Sequence, residues 1–307
     1  MKRLLSTTII LTFILFLWGA LVRTTGSGLG CPDWPMCHGQ WIPDFDTPTF
    51  FEWCHRLIAM IVGLATLTTS LVIWGKKHFR QRLGFLAGLA MTLLLVQASL
   101  GGAAVLTELQ PHLVSIHLGV GMVFLTVLLW MWLRVAGLSA RNPSRVTIEL
   151  VTRSGFARIT PATRSGSIYN VLVSITTVLV FAQSVLGGYV ASSEASLACP
   201  DFPLCQGQWI PILTGNVAIH FFHRVGALLT FVAIVTLFIM ARRSMVPALK
   251  TILPWVGIVT AVQLFLGIAN ILWALPITIR IAHLGMATVL YGLLIVTIYE
   301  VRRARVS

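Results

Sequence analysis

The sequence predicts an all-α membrane protein, in which eight transmembrane helices form two four-helix bundles related by a pseudo-twofold axis. Three observations lead to this fold class. A mean hydropathy of +0.88, with 57% hydrophobic and 10% charged residues, leaves too little polar surface to cover a core in water. Eight apolar runs are long enough to cross a bilayer. One stretch of the first half also returns in the second half.

The eight apolar runs each approach the roughly 20 residues that a helix needs to cross the hydrocarbon core. In chain order they lie near residues 6–24, 52–74, 83–106, 112–135, 168–190, 217–241, 250–273 and 277–299. The first run follows Lys2 and Arg3, as in a signal peptide. We expect it to remain as a helix, because its repeat counterpart is internal and no small-residue cleavage site precedes Arg23.

The net charge of +13 is explained by topology and not by nucleic-acid binding. Eighteen of the 22 Lys and Arg residues lie at one end of the predicted helices, and seven of the nine acidic residues lie at the other. Positive loops mark the cytoplasmic side. The pattern predicts a multi-pass protein of the cell (inner) membrane with both termini in the cytoplasm. Four arginines at the outer helix ends break the pattern: Arg23, Arg56, Arg224 and Arg280.

An internal repeat divides the chain. Residues 31–43 return as residues 199–211, with ten identities in 13 positions, and the same offset of 168 carries His55 onto His223. An offset of 166 carries His117 onto His283. Because four helices are an even number, both halves enter the membrane in the same orientation. The predicted domains are bundles at 1–136 and 167–307, joined by an irregular cytoplasmic linker at 137–166.

A shorter pattern recurs in the odd-numbered predicted helices. The third, fifth and seventh share glutamine, leucine and glycine at one spacing: Gln97, Leu100 and Gly101; Gln183, Leu186 and Gly187; Gln263, Leu266 and Gly267. The first helix has Leu15, Trp18 and Gly19 there. Glycine lets a second backbone or a flat ligand approach a membrane helix closely. Helix packing with glutamine as a bridge and ligand approach both remain open.

The four repeat-equivalent histidines are the strongest functional signal. His55, His117, His223 and His283 all fall near the outer ends of even-numbered helices, so each half carries two imidazoles at a similar depth. Ionisable residues inside a membrane are costly and are functional by default, and imidazole is a common ligand of haem iron. The pattern predicts a haem clamped in each half. A single such histidine could instead be a packing residue, and zinc or copper is disfavoured because thiolates and further carboxylates are not nearby.

The outer arginines suit the propionates of a haem, since arginine binds carboxylates bidentately. Arg280 lies one turn before His283 on the same helix face, whereas Arg56 and Arg224 directly follow their histidines. Arg280 is therefore the preferred propionate partner, with Arg56 and Arg224 as further candidates. A position among lipid headgroups is the alternative for Arg23 and Arg56.

The two halves differ beside their first histidine. Glu52 lies three residues before His55, and the equivalent residue before His223 is His220. A carboxylate at a haem edge can accept a proton or stabilise a developing cation. A helix-start residue favoured by the helix dipole is the alternative for Glu52.

Four of the five cysteines form two repeat-equivalent pairs, Cys31 with Cys37 and Cys199 with Cys205. On an oxidising outer side, each pair predicts a disulfide that closes a loop over the helix ends. A redox-active thiol pair, or a metal site at Cys37 and its neighbouring histidine, remains open. Cys54 is expected to be a free, mostly buried thiol.

Taken together, these residues resemble the haem A synthase family over nearly the whole chain. The resemblance rests on the first outer loop and on the histidine and cysteine positions: Gly26-Ser27-Gly28, Cys31, Trp34-Pro35-Met36-Cys37-His38-Gly39, Glu52, His55-Arg56, His117, Cys199, Cys205, His223-Arg224 and His283.

The resemblance implies an eight-helix enzyme that oxidises the C8 methyl of haem O to the formyl group of haem A in two successive steps. His55 and His117 would hold the substrate or product haem, with Glu52 as the catalytic carboxylate. His223 and His283 would hold a haem b cofactor that relays electrons. Expected partners are the bilayer, haem O synthase and an electron donor.

Two other functions remain open at this stage. One is a quinol-oxidising dihaem b electron-transfer protein, and the other is a haem transporter or chaperone. The oxygen source, a homo-oligomeric state, and the roles of His220, His112 and Cys54 are also left open by the sequence.

Overall fold

The structure, a computed structural model, describes residues 1–140, 162–242 and 247–304. Within these ranges the chain forms eight α-helices and no β-strand. The helices are α1 (Lys2–Thr24), α2 (Thr47–Gly75), α3 (Lys77–Leu106), α4 (Pro111–Ala140), α5 (Ala162–Ser192), α6 (Gly215–Ala241), α7 (Pro247–Leu272) and α8 (Ile277–Arg303). All eight are long and apolar enough to cross a membrane. The predicted helical fold is confirmed, and the protein is a multi-pass membrane protein.

Several helices extend beyond their apolar runs. Helix α3 begins at Lys77, whereas the apolar run begins near residue 83. Helix α8 continues to Arg303, past the predicted end near residue 299. Lys and Arg are good helix formers, and their charged ends can reach the polar interface while the stems stay on apolar surface. Hydropathy therefore locates the membrane-spanning part but underestimates the helix length.

The predicted linker at 137–166 is shorter in the structure. Helix α4 continues to Ala140 and α5 begins at Ala162, so both ends of the predicted linker are helical. Residues 141–161 lie outside the described residues, and with them most of the predicted irregular segment.

Each half forms a closed set of four helices. Within the first half, α1 contacts α2 and α4, and α3 contacts α2 and α4. The corresponding contacts join α5 to α6 and α8, and α7 to α6 and α8. The halves meet through α1 with α8, α4 with α5, and α4 with α8. Exchanging each helix with its counterpart in the other half, α1 with α5 through α4 with α8, reproduces this set of contacts.

The two seams between the halves use equivalent residues. Gly119 of α4 packs against Val185 of α5, and Gly285 of α8 packs against Leu17 of α1. Val185 and Leu17 are separated by the repeat offset of 168. Small residues let membrane helices approach closely, so each glycine admits the opposing helix. These contacts favour the pseudo-twofold relation, which stays a prediction.

Large apolar side chains fill one half of each bundle. One cluster includes Leu5, Ile73, Leu83, Leu128 and Met131, all fully buried or nearly so. A second includes Val173, Leu237, Leu249, Val256 and Leu294. Both clusters lie toward the helix ends that carry Lys and Arg. The opposite helix ends, which the charge pattern predicts to be the outer ones, enclose the cavity in which the histidines lie.

Candidate functional site

Each of the four histidines rests against a glycine of the preceding helix. A Cβ added at that glycine would lie 3.0 to 3.3 Å from Cε1 of the ring, closer than side chains normally pack. The pairs are His55 on Gly19, His117 on Gly101, His223 on Gly187 and His283 on Gly267. The glycines of the recurring pattern therefore make room for imidazoles, and the same helix hairpin is used four times.

In three hairpins a glutamine amide also contacts the histidine. Nε2 of Gln97 donates to the backbone carbonyl of His117 at 3.0 Å. The Nε2 atom of Gln183 lies 2.9 Å from Nδ1 of His223 and donates to its carbonyl at 2.8 Å. Nε2 of Gln263 is 3.3 Å from Nε2 of His283. The glutamines thus bridge helices as one interpretation of the sequence predicted, and they do so at the histidines.

The first hairpin is built differently. Leu15 occupies the glutamine position, and Trp18 donates from Nε1 to the backbone carbonyl of Phe51 at 2.9 Å. The two rings also pack edge to face, 6.1 Å between centroids. The polar contact between α1 and α2 is therefore one turn away from His55, beside Glu52.

One continuous cavity of about 1860 Å³ contains all four histidines. Typical small-molecule sites reach about 1,000 Å³, so the volume suits two large ligands. His55 lies within electrostatic range of His117, and His223 within range of His283. The structure thus brings together the histidines of each half in the predicted pairs.

Both disulfide loops cross the cavity side of the helix ends. Cys31 is bonded to Cys37, and Cys199 to Cys205. Cys54 has a free thiol and is half-buried, and neither Cys54 nor His112 lines the cavity. The loop disulfides agree with the predicted pairing.

Arg56 holds the first loop in place. Its Nη1 donates to the carbonyls of Asp33 at 2.7 Å and Met36 at 2.6 Å, and Nη2 donates to the carbonyl of Cys31 at 2.8 Å. Nε donates to Oε1 of Glu52 at 3.0 Å. Four of the five guanidinium N–H groups are therefore used within the protein. The propionate role of Arg56 stays a prediction, and these contacts give it a second, structural role.

Arg224 repeats this arrangement in the second loop. It donates to the carbonyls of Leu204 at 2.6 Å, Cys199 at 2.7 Å and Asp201 at 2.8 Å. Its Nε is buried and has no hydrogen-bond partner among the described residues. The contrast with Arg56 follows from the sequence, because the second half has no carboxylate where Glu52 stands.

An aspartate folds each loop back on itself. Asp33 accepts from the backbone N–H groups of His38 and Gly39, both at 2.7 Å. Asp201 accepts from Gln206 at 2.7 Å and Gly207 at 2.8 Å. These hydrogen bonds hold the pKa of each carboxyl below its usual value of 3.8. The bond from the glycine N–H has the largest effect on the pKa.

Glu52 and His220 mark the main difference between the halves. Glu52 is only 6% exposed and lines the cavity, and its ion pair with Arg56 fixes one carboxylate oxygen. His220 is 4% exposed and lines the same cavity, and its Nδ1 lies 3.4 Å from the backbone nitrogen of Cys199. One half thus presents an acid beside its histidine pair, and the other presents an imidazole held against the loop.

Two further arginines meet where the halves adjoin. Arg280 lines the cavity, and its one hydrogen bond among the described residues is long, 3.5 Å from Nη1 to the carbonyl of Thr24. Arg23 donates to Oγ of Ser192 at 3.2 Å and lies within electrostatic range of Arg280 and Glu194. Within the described ranges neither arginine forms a salt bridge. Arg280 keeps more free donors than Arg56 or Arg224 and so remains the better candidate for a carboxylate ligand.

The residues present fit a haem in each half. Nδ1 of His55, His117 and His283 is buried without a hydrogen-bond partner in the described part of the chain. Unpaired buried imidazoles are costly, and iron coordination with a rearranged hydrogen bond on the other nitrogen would remove that cost. Across the described residues, no cluster of three or more His, Cys, Asp or Glu is arranged to hold a metal ion. A porphyrin suits these paired imidazoles better than a bare cation, because it supplies the remaining ligands itself.

The family match is to cytochrome oxidase assembly protein, the COX15-CtaA family, over residues 2–295. The chain belongs to this family. Its relatives include proteins named heme A synthase from three bacteria. That of Halalkalibacterium halodurans is 31% identical over 75% of this chain and 72% of its own length. That of Symbiobacterium thermophilum is 31% identical over 91% and 88%, and that of Shewanella oneidensis is 29% identical over 94% and 92%.

Two aromatic residues of the site were not predicted from the sequence. Trp18 ties α1 to α2 beside Glu52, and Trp34 packs on α3, where a Cβ at Gly102 would lie 2.9 Å from its ring. Both stand where the repeats differ, because their counterparts are Leu186 and Phe202. Comparing the repeats position by position was the signal that could have found them.

Proposed function

We propose that this protein is a haem A synthase that oxidises the C8 methyl of haem O to the formyl group of haem A in two steps. Its membership of the COX15-CtaA family supports the proposal, as do relatives that carry this name. The observation that carries it is the asymmetric cavity: four imidazoles in two pairs, with a buried carboxylate beside one pair only among the described residues.

In this proposal, His55 and His117 are the residues that would hold the substrate haem. Each ring is held in position by a glycine of the neighbouring helix, so α1 and α3 set where the imidazoles stand. Arg280, with its free donors in the cavity, binds a propionate. The substrate haem is thereby oriented with respect to α2, which carries Glu52.

Glu52 handles the charge that develops as the methyl group is oxidised. The ion pair with Arg56 fixes Oε1 of Glu52. No hydrogen bond to the second oxygen, Oε2, is found in the part of the chain that the structure describes. That oxygen can accept a proton from the reacting carbon or stabilise a cation there. Arg56 keeps the carboxylate oriented while holding the loop above it.

The second half serves the cofactor. His223 and His283 are the residues that would hold haem b, and the glutamine contacts of both rings support a permanently bound group. One-electron transfer is the chemistry that haem b supplies when bound. With His220 in place of a carboxylate, the second half has no equivalent acid to promote oxidation of its own haem.

The membrane setting of the proposal follows the charge distribution. Both termini lie in the cytoplasm, the disulfide loops lie on the outer side of the cell membrane, and residues 1–136 and 167–307 are the substrate and cofactor bundles. Haem O synthase and an electron donor are the expected partners.

Analysis of the extracted haems tests this function. The protein is expressed together with a haem O synthase, purified and extracted, and the haems are separated by chromatography. Haem b together with haem O or haem A is the expected result. Haem b alone would overturn the proposal in favour of a dihaem electron-transfer protein, and a protein without haem would overturn both.

A further inference from the structure

The cavity has an apolar branch in the first half whose counterpart in the second half is closed within the described ranges. From the pair of His55 and His117 it continues between α2 and α3 as an apolar extension, lined by Gly63, Leu64, Leu67, Met91 and Leu95. The α2 residues of this extension lie about 12 to 18 Å along the helix from His55, toward the end that precedes Lys76. The apolar extension therefore runs away from the disulfide loops and into the membrane-spanning part of the bundle.

The equivalent positions differ in the second half. The repeat offsets of 168 and 166 carry four residues of the apolar extension onto described residues that do not line the cavity: Val232, Val235, Gly257 and Ala261. The fifth counterpart does line the cavity, but it is Phe231, at the position of Gly63. Gly63 is the α2 residue of the apolar extension nearest to His55. A phenylalanine thus stands in the second half where the branch begins in the first.

The apolar extension reaches the lipid-facing side of the bundle. Val232 is 53% exposed and does not line the cavity, so this position of the repeat faces outward. Its counterpart Leu64 is 57% exposed and does line the cavity, and Leu95 on α3 lines it too with 65% exposed. The cavity therefore opens between α2 and α3. A lining of aliphatic side chains and glycine suits an apolar chain and offers no partner to a charged group.

The substrate of the proposed function carries such a chain. Haem O has a hydroxyethylfarnesyl group where haem b has a vinyl group, and haem A retains it. The propionates project from the opposite edge of the porphyrin. Arg280, the proposed propionate partner, lies in the first turn of α8 on the loop side of the cavity, whereas the apolar extension leads the other way. The first half thus offers a cation at one end and an apolar branch at the other, which match the two edges of haem O.

We propose that the apolar extension binds the farnesyl chain of haem O, and that Phe231 keeps farnesylated haem out of the second half. The inference rests on the proposed function and assigns the residues that select which haem each half binds. Gly63 leaves space for the chain, because a Cβ there would meet only Cδ2 of Leu94 among the described residues, at 3.8 Å. Lipid is as apolar as this lining, so the selection is steric. A large side chain at this position excludes the farnesyl chain, and a small one admits it.

Exchanging the residue types at these two positions tests the inference in the full-length protein. Each variant is expressed together with a haem O synthase and purified, and its haems are extracted and quantified per protein. A single methylene in an apolar pocket changes discrimination by about 10- to 200-fold, so Gly63→Phe should lower the combined content of haem O and haem A by about tenfold or more. Haem b should not decrease, because a ring without the chain still fits both histidine pairs. An undiminished content of haem O and haem A would overturn the inference.

Gly88→Phe is the matched control. It adds the same ring to α3 at a residue that does not line the cavity, where a Cβ would meet nothing within 4 Å among the described residues. This variant should retain the haems of the wild type. An equal loss of haem O and haem A from Gly88→Phe would contradict the assignment of the chain to the apolar extension.

Phe231→Ala decides the inference if Gly63→Phe does not fold. Removing the ring should admit farnesylated haem to the pair of His223 and His283, and should lower the ratio of haem b to farnesylated haem by about tenfold. An unchanged ratio would refute the selective role of Phe231. These results are separate from the proposed function, because a wild-type protein that contains haem O and haem A remains a synthase wherever the farnesyl chain lies.

Discussion

The histidine-bearing ends of the two halves share one frame, the contacts of an arginine and an aspartate with the disulfide loop, and differ in a few side chains. In both, an arginine after the first histidine binds three loop carbonyls, and an aspartate folds the loop. Two of the differences are Glu52 against His220 and Leu15 against Gln183. In the proposed function, the duplicated frame sets where two porphyrins bind, and the substitutions within it set which of them reacts.

The two arginines show that Glu52 also has a structural role. In the first half Nε of Arg56 is paired with Glu52, whereas Nε of Arg224 is buried and unpaired within the described residues. An unsatisfied buried donor costs about 1–3 kcal/mol. A variant at Glu52 therefore affects the loop as well as the chemistry, and a useful substitution has to separate the two.

The largest expected effect comes from Glu52→Gln. The amide oxygen can still accept from Arg56, so the loop stays in place, but the residue can no longer take up a proton. General acid and base groups contribute about 10²- to 10⁴-fold. We expect haem A formation to fall at least 100-fold, with haem O accumulating and haem b content unchanged, measured by haem extraction.

The matched change in the other half is His220→Gln. Because His220 lies beside the proposed cofactor pair, the ratio of haem A to haem O should stay within about twofold of the wild type under the same assay. A similar loss of haem A in both variants would contradict the catalytic assignment of Glu52.

Alanine at the histidine-contacting glycines should remove one haem at a time. A Cβ at Gly19 would lie 3.1 Å from the His55 ring and one at Gly187 3.0 Å from the His223 ring, so each ring must shift. Misplaced ligands typically cost about 10- to 100-fold in affinity. Gly19→Ala should therefore deplete the substrate haem and Gly187→Ala should deplete haem b, as measured by haem stoichiometry.

Gly257→Ala provides the control for this pair. Among the described residues, a Cβ at Gly257 meets nothing within 4 Å, so both haems should be retained. Simultaneous loss of both haems from either Gly19→Ala or Gly187→Ala would mean that the two sites are not independent.

Lysine in place of the loop arginines should loosen the loops to different extents. A lysine ammonium is a point charge and cannot reproduce the planar fork that reaches three carbonyls. Arg56→Lys also loses the Nε hydrogen bond to the buried carboxylate of Glu52, for which we expect about 3 kcal/mol in all. Arg224→Lys loses hydrogen bonds only, about 1.5 kcal/mol. Hydrogen exchange of residues 31–43 and 199–211 measures both, and equal exchange in the two variants would argue against a structural role for Glu52.

The smallest expected effect is a pH dependence of the loops, and it is the same in both halves. Because the folded pKa values of Asp33 and Asp201 lie below 3.8, their stabilisation of the loops is present above pH 3.8. It is lost as the pH falls through the folded values. The amide proton shifts of Gly39 and Gly207 should titrate together below pH 3.8. Asp33→Asn should abolish the change at Gly39 alone, and a titration that persists there would refute the assignment.

Much of the site could be predicted because the two halves of the chain can be compared at equivalent positions. The histidine pairs, the glycines and the disulfides follow from spacing, since membrane helices have few options at ionisable residues. The contacts of Arg56 with the carbonyls of Asp33, Met36 and Cys31 could not be predicted. Arg56 and these residues are 20 or more positions apart in the chain and meet only after the loop folds over the helix ends. A guanidinium can bind a propionate or a backbone carbonyl, so the residue type alone does not say which of them Arg56 contacts.

The sequence by itself determined the eight helices, the duplicated halves and the pairs of histidines. Hydropathy decides which segments cross the bilayer, and the repeat is present in the order of the residues. Tertiary structure decided how those residues are supported. The seating of each imidazole on a glycine, the partners of the arginines and the absence of a glutamine contact at His55 within the described residues depend on distances between helices. Side-chain packing sets those distances, and no local pattern encodes it.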